Sequence, residues 1–234
     1  MSSQAEQLID PEPQQAGSSK PDGQDGRARA AEIVRRLDPL YADLTTGLNY
    51  TTPLDLVVAT ILSAQCTDER VNLVTPSLFA RCRTADDYIA MEQEELETII
   101  HSCGFFRNKA KNIKAAAQTL VDRFGGEVPQ SMDELVLLPG VARKTANVVL
   151  AHAFGRNEGV AVDTHVQRLS RRLALTSNTD PQKIELDLMG LVRPEQWGRL
   201  SDVLIWHGRR VCSARNPRCD QCVLADLCPS AGTG

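Results

Sequence analysis

Leu138-Pro139-Gly140-Val141-Ala142-Arg143-Lys144-Thr145-Ala146 is the stretch on which the fold turns. Apolar residues recur with helical spacing on both sides of it, over about 131–138 and 143–154. The Pro-Gly pair between them stops one helix and lets the next begin. Such a turn exposes the first backbone N–H groups of the second helix, which lack helical partners and suit an anion. On a nucleic acid, a turn of this kind around Gly140, Ala142 and Arg143 would grip a phosphate without reading sequence. An ordinary helix hairpin carries the same residues, so the turn alone leaves both readings open.

Outward from the turn, strand signals are nearly absent and helical periodicity continues. Ile33, Val34, Leu37 and Leu40 form one stripe, ended around Asp38-Pro39. A second helix runs from Pro53, a suitable first-turn residue, through Leu62. Others are expected at about 68–80, 84–91, 93–103, 108–124, 164–174, 181–191 and 195–208. Ser131 and Glu134 have capping-box spacing, Asp180-Pro181 pairs a cap with a first-turn proline, and Gly125-Gly126 and Gly155 stand where helices should stop. The fold class is all-α, about ten short helices without an internal repeat. Residues 1–26 are rich in Gln, Ser, Gly, Pro and acids and offer little to bury, so a disordered tail is expected there.

Of the 234 residues 42% are hydrophobic and only 4% aromatic, so the core must be built mainly from Leu, Val, Ile and Ala. No apolar run approaches the roughly 18 residues of a membrane span, and nothing near the N-terminus resembles a signal peptide. The expectation is a cytoplasmic protein, where clustered cysteines suggest metal rather than disulfides. The net charge of −4 comes from residues 1–26, where Glu6, Asp10, Glu12, Asp22 and Asp25 face only Lys20. The rest is neutral but dipolar: 66–101 is acidic and 102–123 basic, which allows a basic face without requiring one.

Four of the seven cysteines, Cys212, Cys219, Cys222 and Cys228, fall in the last 23 residues, spaced C-x6-C-x2-C-x5-C. Four soft ligands on a Pro- and Arg-rich loop can enclose one metal centre. Structural zinc usually takes two tight pairs, whereas only Cys219 and Cys222 form one here, so the spacing favours a [4Fe–4S] cluster over zinc. Such a centre could simply fold the loop and present Arg209, Arg210, Arg215 and Arg218. Cys66, Cys82 and Cys103 read as ordinary buried thiols, and the four histidines as packing or surface residues.

Lys144 falls in the first turn of the helix after Ala142, against the positive end of its dipole. That position and partial burial both favour the neutral amine, the form that attacks a sugar carbon or carbonyl. A solvated surface lysine is the plain alternative. Asp163, in Val160-Ala161-Val162-Asp163-Thr164-His165, follows a short apolar run and precedes a helix, which makes it an N-cap. A carboxylate held so can also face a cationic transition state.

Together, Leu138–Val149 (LPGVARKTANVV), Val162–His165 (VDTH), Leu62–Asp68 (LSAQCTD) and the cysteine tail resemble the endonuclease III family, bifunctional DNA glycosylase/AP lyases of the helix-hairpin-helix superfamily. The resemblance runs in order from about residue 30 to 229. It implies two all-α domains, a six-helix barrel over 48–157 with the helix-hairpin-helix at about 131–154, and a cluster domain combining 27–47 with 158–234. It implies Lys144 as imine-forming nucleophile, Asp163 as its essential acid, and Cys212, Cys219, Cys222 and Cys228 as ligands of a [4Fe–4S] cluster. Gln65 would fill the gap left by the extruded base, and Phe105 would act as a wedge, although a core aromatic is the alternative for Phe105. The implied activity is excision of oxidised pyrimidines from damaged double-stranded DNA and β-elimination of the abasic strand by a monomer at the nucleoid. An 8-oxoguanine-type glycosylase/lyase and a non-catalytic iron–sulfur DNA-binding protein are the other readings. Two departures stand out: Ala142 replaces a glycine of the family hairpin and could crowd the turn or the phosphate, and Phe105 replaces a frequent leucine.

Overall fold

The computed structural model describes residues 23–232, and every regular element among them is helical. The first helix, α1 (Gly23–Leu37), is followed by a 3-10 turn at Asp38–Tyr41. Then come α2 (Pro53–Ser63), α3 (Asp68–Arg81), α4 (Ala85–Ala90), α5 (Gln93–Ile100), α6 (Phe106–Phe124), α7 (Met132–Leu135) and α8 (Arg143–Phe154). The chain continues with α9 (Thr164–Arg172), α10 (Pro181–Leu191) and α11 (Trp197–Arg210).

Two apolar cores organise these helices. One runs from Leu48 to Leu150. The other joins Ala30, Ile33, Val34, Leu37 and Tyr41 to residues from Val160 to Leu224. α2 is buried from Leu54 through Leu62, as a helix that is apolar all round must be, and packs against α3, α6 and α8. Its start is fixed by a capping box that sequence reasoning missed. Thr52 Oγ1 accepts from Asp55 N at 3.1 Å, and Asp55 Oδ2 accepts from Thr52 N at 3.0 Å. A cap of this kind is worth about 1 kcal/mol. α8 packs against α2 on one side and α11 on the other, so the helix after the Pro-Gly turn touches both cores.

Several expectations need correction. Residues 1–22 of the expected tail lie outside the described residues, and 23–26 already belong to α1, whose Asp25 sits favourably in the first turn. Leu40 is 50% exposed, because the 3-10 turn shifts the helical phase and buries Tyr41 instead. α7 spans one turn rather than the whole of 131–138. Residue 138 precedes Pro139, which disfavours helical backbone there, and Val136 and Leu137 are left exposed. Ser131 does not cap it through the backbone: its hydroxyl donates to Glu134 Oε2 at 2.6 Å. Asp180 does cap α10, accepting from Lys183 N at 3.0 Å, and Gly125 and Gly155 end α6 and α8 with left-handed backbone.

Candidate functional site

The Pro-Gly turn is built as its composition requires. Gly140 has φ +83°, and a Cβ there would stand 3.0 Å from the Asn112 side chain on α6, so glycine is needed twice over. Ala142 is the N-cap of α8, exposed and extended at φ −91°, ψ 169°. Any L-residue adopts that conformation, so its methyl group does not strain the turn. No side chain caps α8, which leaves its leading N–H groups aimed outward.

Lys144 follows in the first turn and is exposed, where partial burial was expected. The buried face of α8 is Ala146, Asn147, Val149 and Leu150, and Lys144 lies off it, on the side of Val148 and Ala151. That side lines a cleft whose opposite wall comes from the second core. Asp163 stands in the same cleft. It caps α9, with Oδ1 accepting from His165 N and Val166 N, both at 2.8 Å, which fixes the carboxylate. Lys144 and Asp163, 19 positions apart in sequence, are therefore brought to one cavity between the cores.

Two side-chain pairs flank them. His152 Nε2 lies 3.2 Å from Asp202 Oδ1, and Arg209 pairs with Asp68 at 2.7 Å. Each pair joins a helix of the first core to α11. Glu185 on α10, only 5% exposed, makes a third bridge. Its carboxylate accepts from Arg143 Nε at 2.7 Å and from Asn147 Nδ2 at 2.8 Å. Gly159 permits this approach, since a Cβ there would collide with Glu185 Oε1. Arg143 thus spends one nitrogen on holding α8 in place, and the pair holds its guanidinium above the usual arginine value. None of Glu185, Asn147, His152 or Asp202 was singled out from sequence. Glu185 had a visible signal, because it shares the buried face of Ile184 and Leu188.

Gln65 and Phe105 lie on two loops of the first core. Both are non-glycine residues with left-handed backbone, φ 53° and 46°. Both are exposed, Phe105 by 66%, so Phe105 is not a core aromatic. Left-handed conformations cost such residues on the order of 1–3 kcal/mol and persist where the surroundings impose them.

The four cysteines of the tail are unpaired and line one cavity. Among the described residues no three His, Cys, Asp or Glu side chains are gathered as a single-ion site; the sulfurs form the cavity wall instead. Donors surround them: Arg172 Nη1 reaches Cys212 Sγ at 3.2 Å, and Leu224 N reaches Cys222 Sγ at 3.4 Å. His207, buried and not a mere packing residue, lies 3.2 Å from Cys222 Sγ through Nε2 and 3.0 Å from the Tyr41 hydroxyl through Nδ1. Burial pushes His207 down to about 4, so the ring is neutral and can donate to sulfur while accepting from Tyr41. Burial, with the other thiols added, pushes the Cys222 and Cys228 thiols up. Thiolates there require a bound cation, and the donor set fits an iron–sulfur cluster, whose sulfurs take such hydrogen bonds. Arg209, Arg210, Arg215 and Arg218 are carried on and around this loop.

Residues 58–194 match the HhH-GPD superfamily of base excision DNA repair proteins, and residues 212–228 match the iron–sulfur binding domain of endonuclease III. The chain is a member of the endonuclease III family. Endonuclease III of Synechocystis sp. is 60% identical over 205 residues, covering 88% of this chain and 94% of the relative. That of Bacillus subtilis is 48% identical over 194 residues, covering 82% and 88%. A solved trapped endonuclease III–DNA covalent intermediate superposes with a TM-score of 0.84 and 41% identity, covering 88% of this chain and 97% of that one. A thermostable thymine-DNA glycosylase, 20% identical with a TM-score of 0.78, shares the fold. As an endonuclease III family enzyme, the chain is a DNA glycosylase with AP lyase activity, acts on DNA in base excision repair, and has a [4Fe–4S] cluster as cofactor.

Proposed function

We propose that this chain excises oxidised or ring-saturated pyrimidines, such as thymine glycol, from damaged double-stranded DNA and then cleaves the abasic strand through a Schiff base on Lys144. The observation that carries this reading is that Lys144 and Asp163 face one cleft between the two cores. We take the cores as the two domains, 48–157 and 27–47 with 158–234, with DNA running across the cleft. The leading N–H groups of α8, with Gly140 and Ala142, would receive a phosphate, and the Arg143 nitrogens beyond Glu185 can meet the next one. Gln65 and Phe105 would enter the duplex as the damaged nucleotide leaves the stack, an unstacking that costs a few kcal/mol.

In the chemical step the Lys144 amine attacks C1′ and the bond to the base breaks, the base leaving with a proton. Asp163, with Oδ1 fixed by two N–H groups, offers its other oxygen to the positive charge developing on the sugar and to the proton shed by the amine. Ring opening gives an imine that makes the C2′ proton acidic. Its loss and the breaking of the C3′–O bond cut the strand on the 3′ side. Capture of a related endonuclease III as a covalent intermediate with DNA supports a covalent route. The cluster, held by Cys212, Cys219, Cys222 and Cys228, would shape the loop that presents Arg215 and Arg218 to the backbone. The enzyme would work as a monomer in the cytoplasm, at the nucleoid.

Two structures of the Clostridium acetobutylicum 8-oxoguanine glycosylase/lyase are 14% identical to this chain, with TM-scores of 0.60 and 0.57, a likeness of fold alone. A panel of duplexes bearing thymine glycol, 8-oxoguanine or an abasic site tests the proposal. Cleavage should be fastest for thymine glycol and the abasic site, and borohydride should trap a covalent complex that Lys144→Ala fails to form. Undiminished trapping by that variant would remove Lys144 as nucleophile, and preferred cleavage at 8-oxoguanine would remove the substrate class.

A further inference from the structure

Lys109 lies on the stripe of α6 that also buries Ile113, Ala117 and Leu120, and it is only 4% exposed. An ammonium taken out of water is costly unless it is met by acceptors. Here Nζ donates to the carbonyl oxygens of Leu62 and Cys103, each at 2.8 Å. Leu62 belongs to the last turn of α2, where carbonyls lose their helical partners and the dipole favours a cation. The N–H of residue 66, which would continue the helix onto Leu62, turns instead to Ser63 O at 3.1 Å. Burial lowers the Lys109 amine from its ordinary value, against the opposing pull of the neighbouring Cys66 and Cys103 thiols.

Each of these carbonyls stands just ahead of an exposed loop residue. Gln65 comes three residues after Leu62, and Phe105 two residues after Cys103. Both side chains are exposed on backbone that is left-handed without glycine. Neither conformation is self-sustaining, so something must impose them. The amine is bonded to both segments just before they enter the strained residues. Without it, both buried carbonyls would lose this donor.

We infer that Lys109 is a positioning residue whose buried amine ties the end of α2 to the turn before α6, and so sets the spacing of Gln65 and Phe105 as a pair. The inference rests on the proposed entry of those two side chains into the duplex. Lys109 lies outside the cleft that holds Lys144 and Asp163. It should therefore act on opening a duplex and leave the imine chemistry alone.

The test compares two substrates. Lys109→Met should slow strand cleavage of abasic duplex by about 10- to 100-fold, the scale for a misplacement near 1 Å. Borohydride trapping on a single-stranded abasic oligonucleotide, which needs no wedge, should stay as in the parent enzyme. In a background of Gln65→Ala with Phe105→Ala, adding Lys109→Met should cause no further duplex-specific loss. Equal losses on both substrates would reduce Lys109 to a general structural residue, and no loss on duplex would refute the inference outright. If Gln65→Ala and Phe105→Ala themselves cut duplex as the parent does, the loop reading falls, whatever residue 109 does. Melting and iron–sulfur absorbance check folding. Should the Met variant not fold, Lys109→Gln, which keeps a donor for one carbonyl, replaces it with the same outcomes decisive.

Discussion

Around the cleft, the polar side chains beside the exposed Lys144 are held by other side chains or by backbone. Asp163 is fixed by two N–H groups, Arg143 and Asn147 by Glu185, and His152 by Asp202. In the cysteine loop the arrangement is reversed. Over residues 212–228 only Leu224 is fully buried, and the loop hangs on hydrogen bonds: Arg172 donates to Cys212 Sγ and to the Ser213 and Ala214 carbonyls, and Arg36 of α1 to the Val223 carbonyl. The cleft wall is held by bridges between buried helices, whereas the loop has almost no core and leaves the thiolates to supply the remaining ties once they bind the cluster. A repair enzyme of this plan can keep a preformed wall around the two groups proposed to react, and leave part of its outer surface to be organised by a cofactor.

Removing the iron, or replacing Cys219 by Ala, should exploit that contrast most. Loss of several kcal/mol of coordination-linked stability should lower the melting temperature on the order of 10 °C for a chain of this size. The visible absorption would vanish while most helical signal in the far ultraviolet remained. An unshifted melt would mean that the loop holds itself. Glu185→Ala attacks the other member of the comparison. It strands the buried Asn147 amide and frees Arg143, and because Arg143 is 41% exposed the cost should be held to about 2 kcal/mol, or about 4–8 °C by calorimetry. A variant as stable as its parent would show that the cleft wall does not depend on this bridge. Ala142→Gly should do least. Glycine is the better N-cap, so stability should rise by about 0.5 kcal/mol, with DNA affinity by anisotropy changing less than about tenfold. A larger gain in affinity would show that the methyl group does crowd the phosphate.

Much of this was legible in the chain itself. The Pro-Gly turn, the caps at Asp163 and Asp180, and the stops at Gly125 and Gly155 depend on local backbone chemistry, and they stand where local reasoning puts them. The extent of α7 failed because Pro139 acts one residue upstream, and Leu40 because a 3-10 turn breaks the period. Glu185, Asp202 and Lys109 were passed over for a different reason. Each is a charge on a buried helix face, and its partner lies on an element far away in sequence, 42, 50 and 47 positions for Arg143, His152 and Leu62. Periodicity marks such a residue as an anomaly but does not say what it meets.

The order of the chain has one more effect. Apart from Tyr41 and Leu44 close by in the chain, Ile33, Val34 and Leu37 of α1 share their core with residues from Val160 onward. During synthesis at about 5–20 residues per second, that helix leaves the ribosome on the order of ten seconds before its partners. The helices of the first core are complete by Leu150 and can close in the interval. The newborn chain thus carries an unclosed seam from α1 to α11, and the cysteine loop arrives after both.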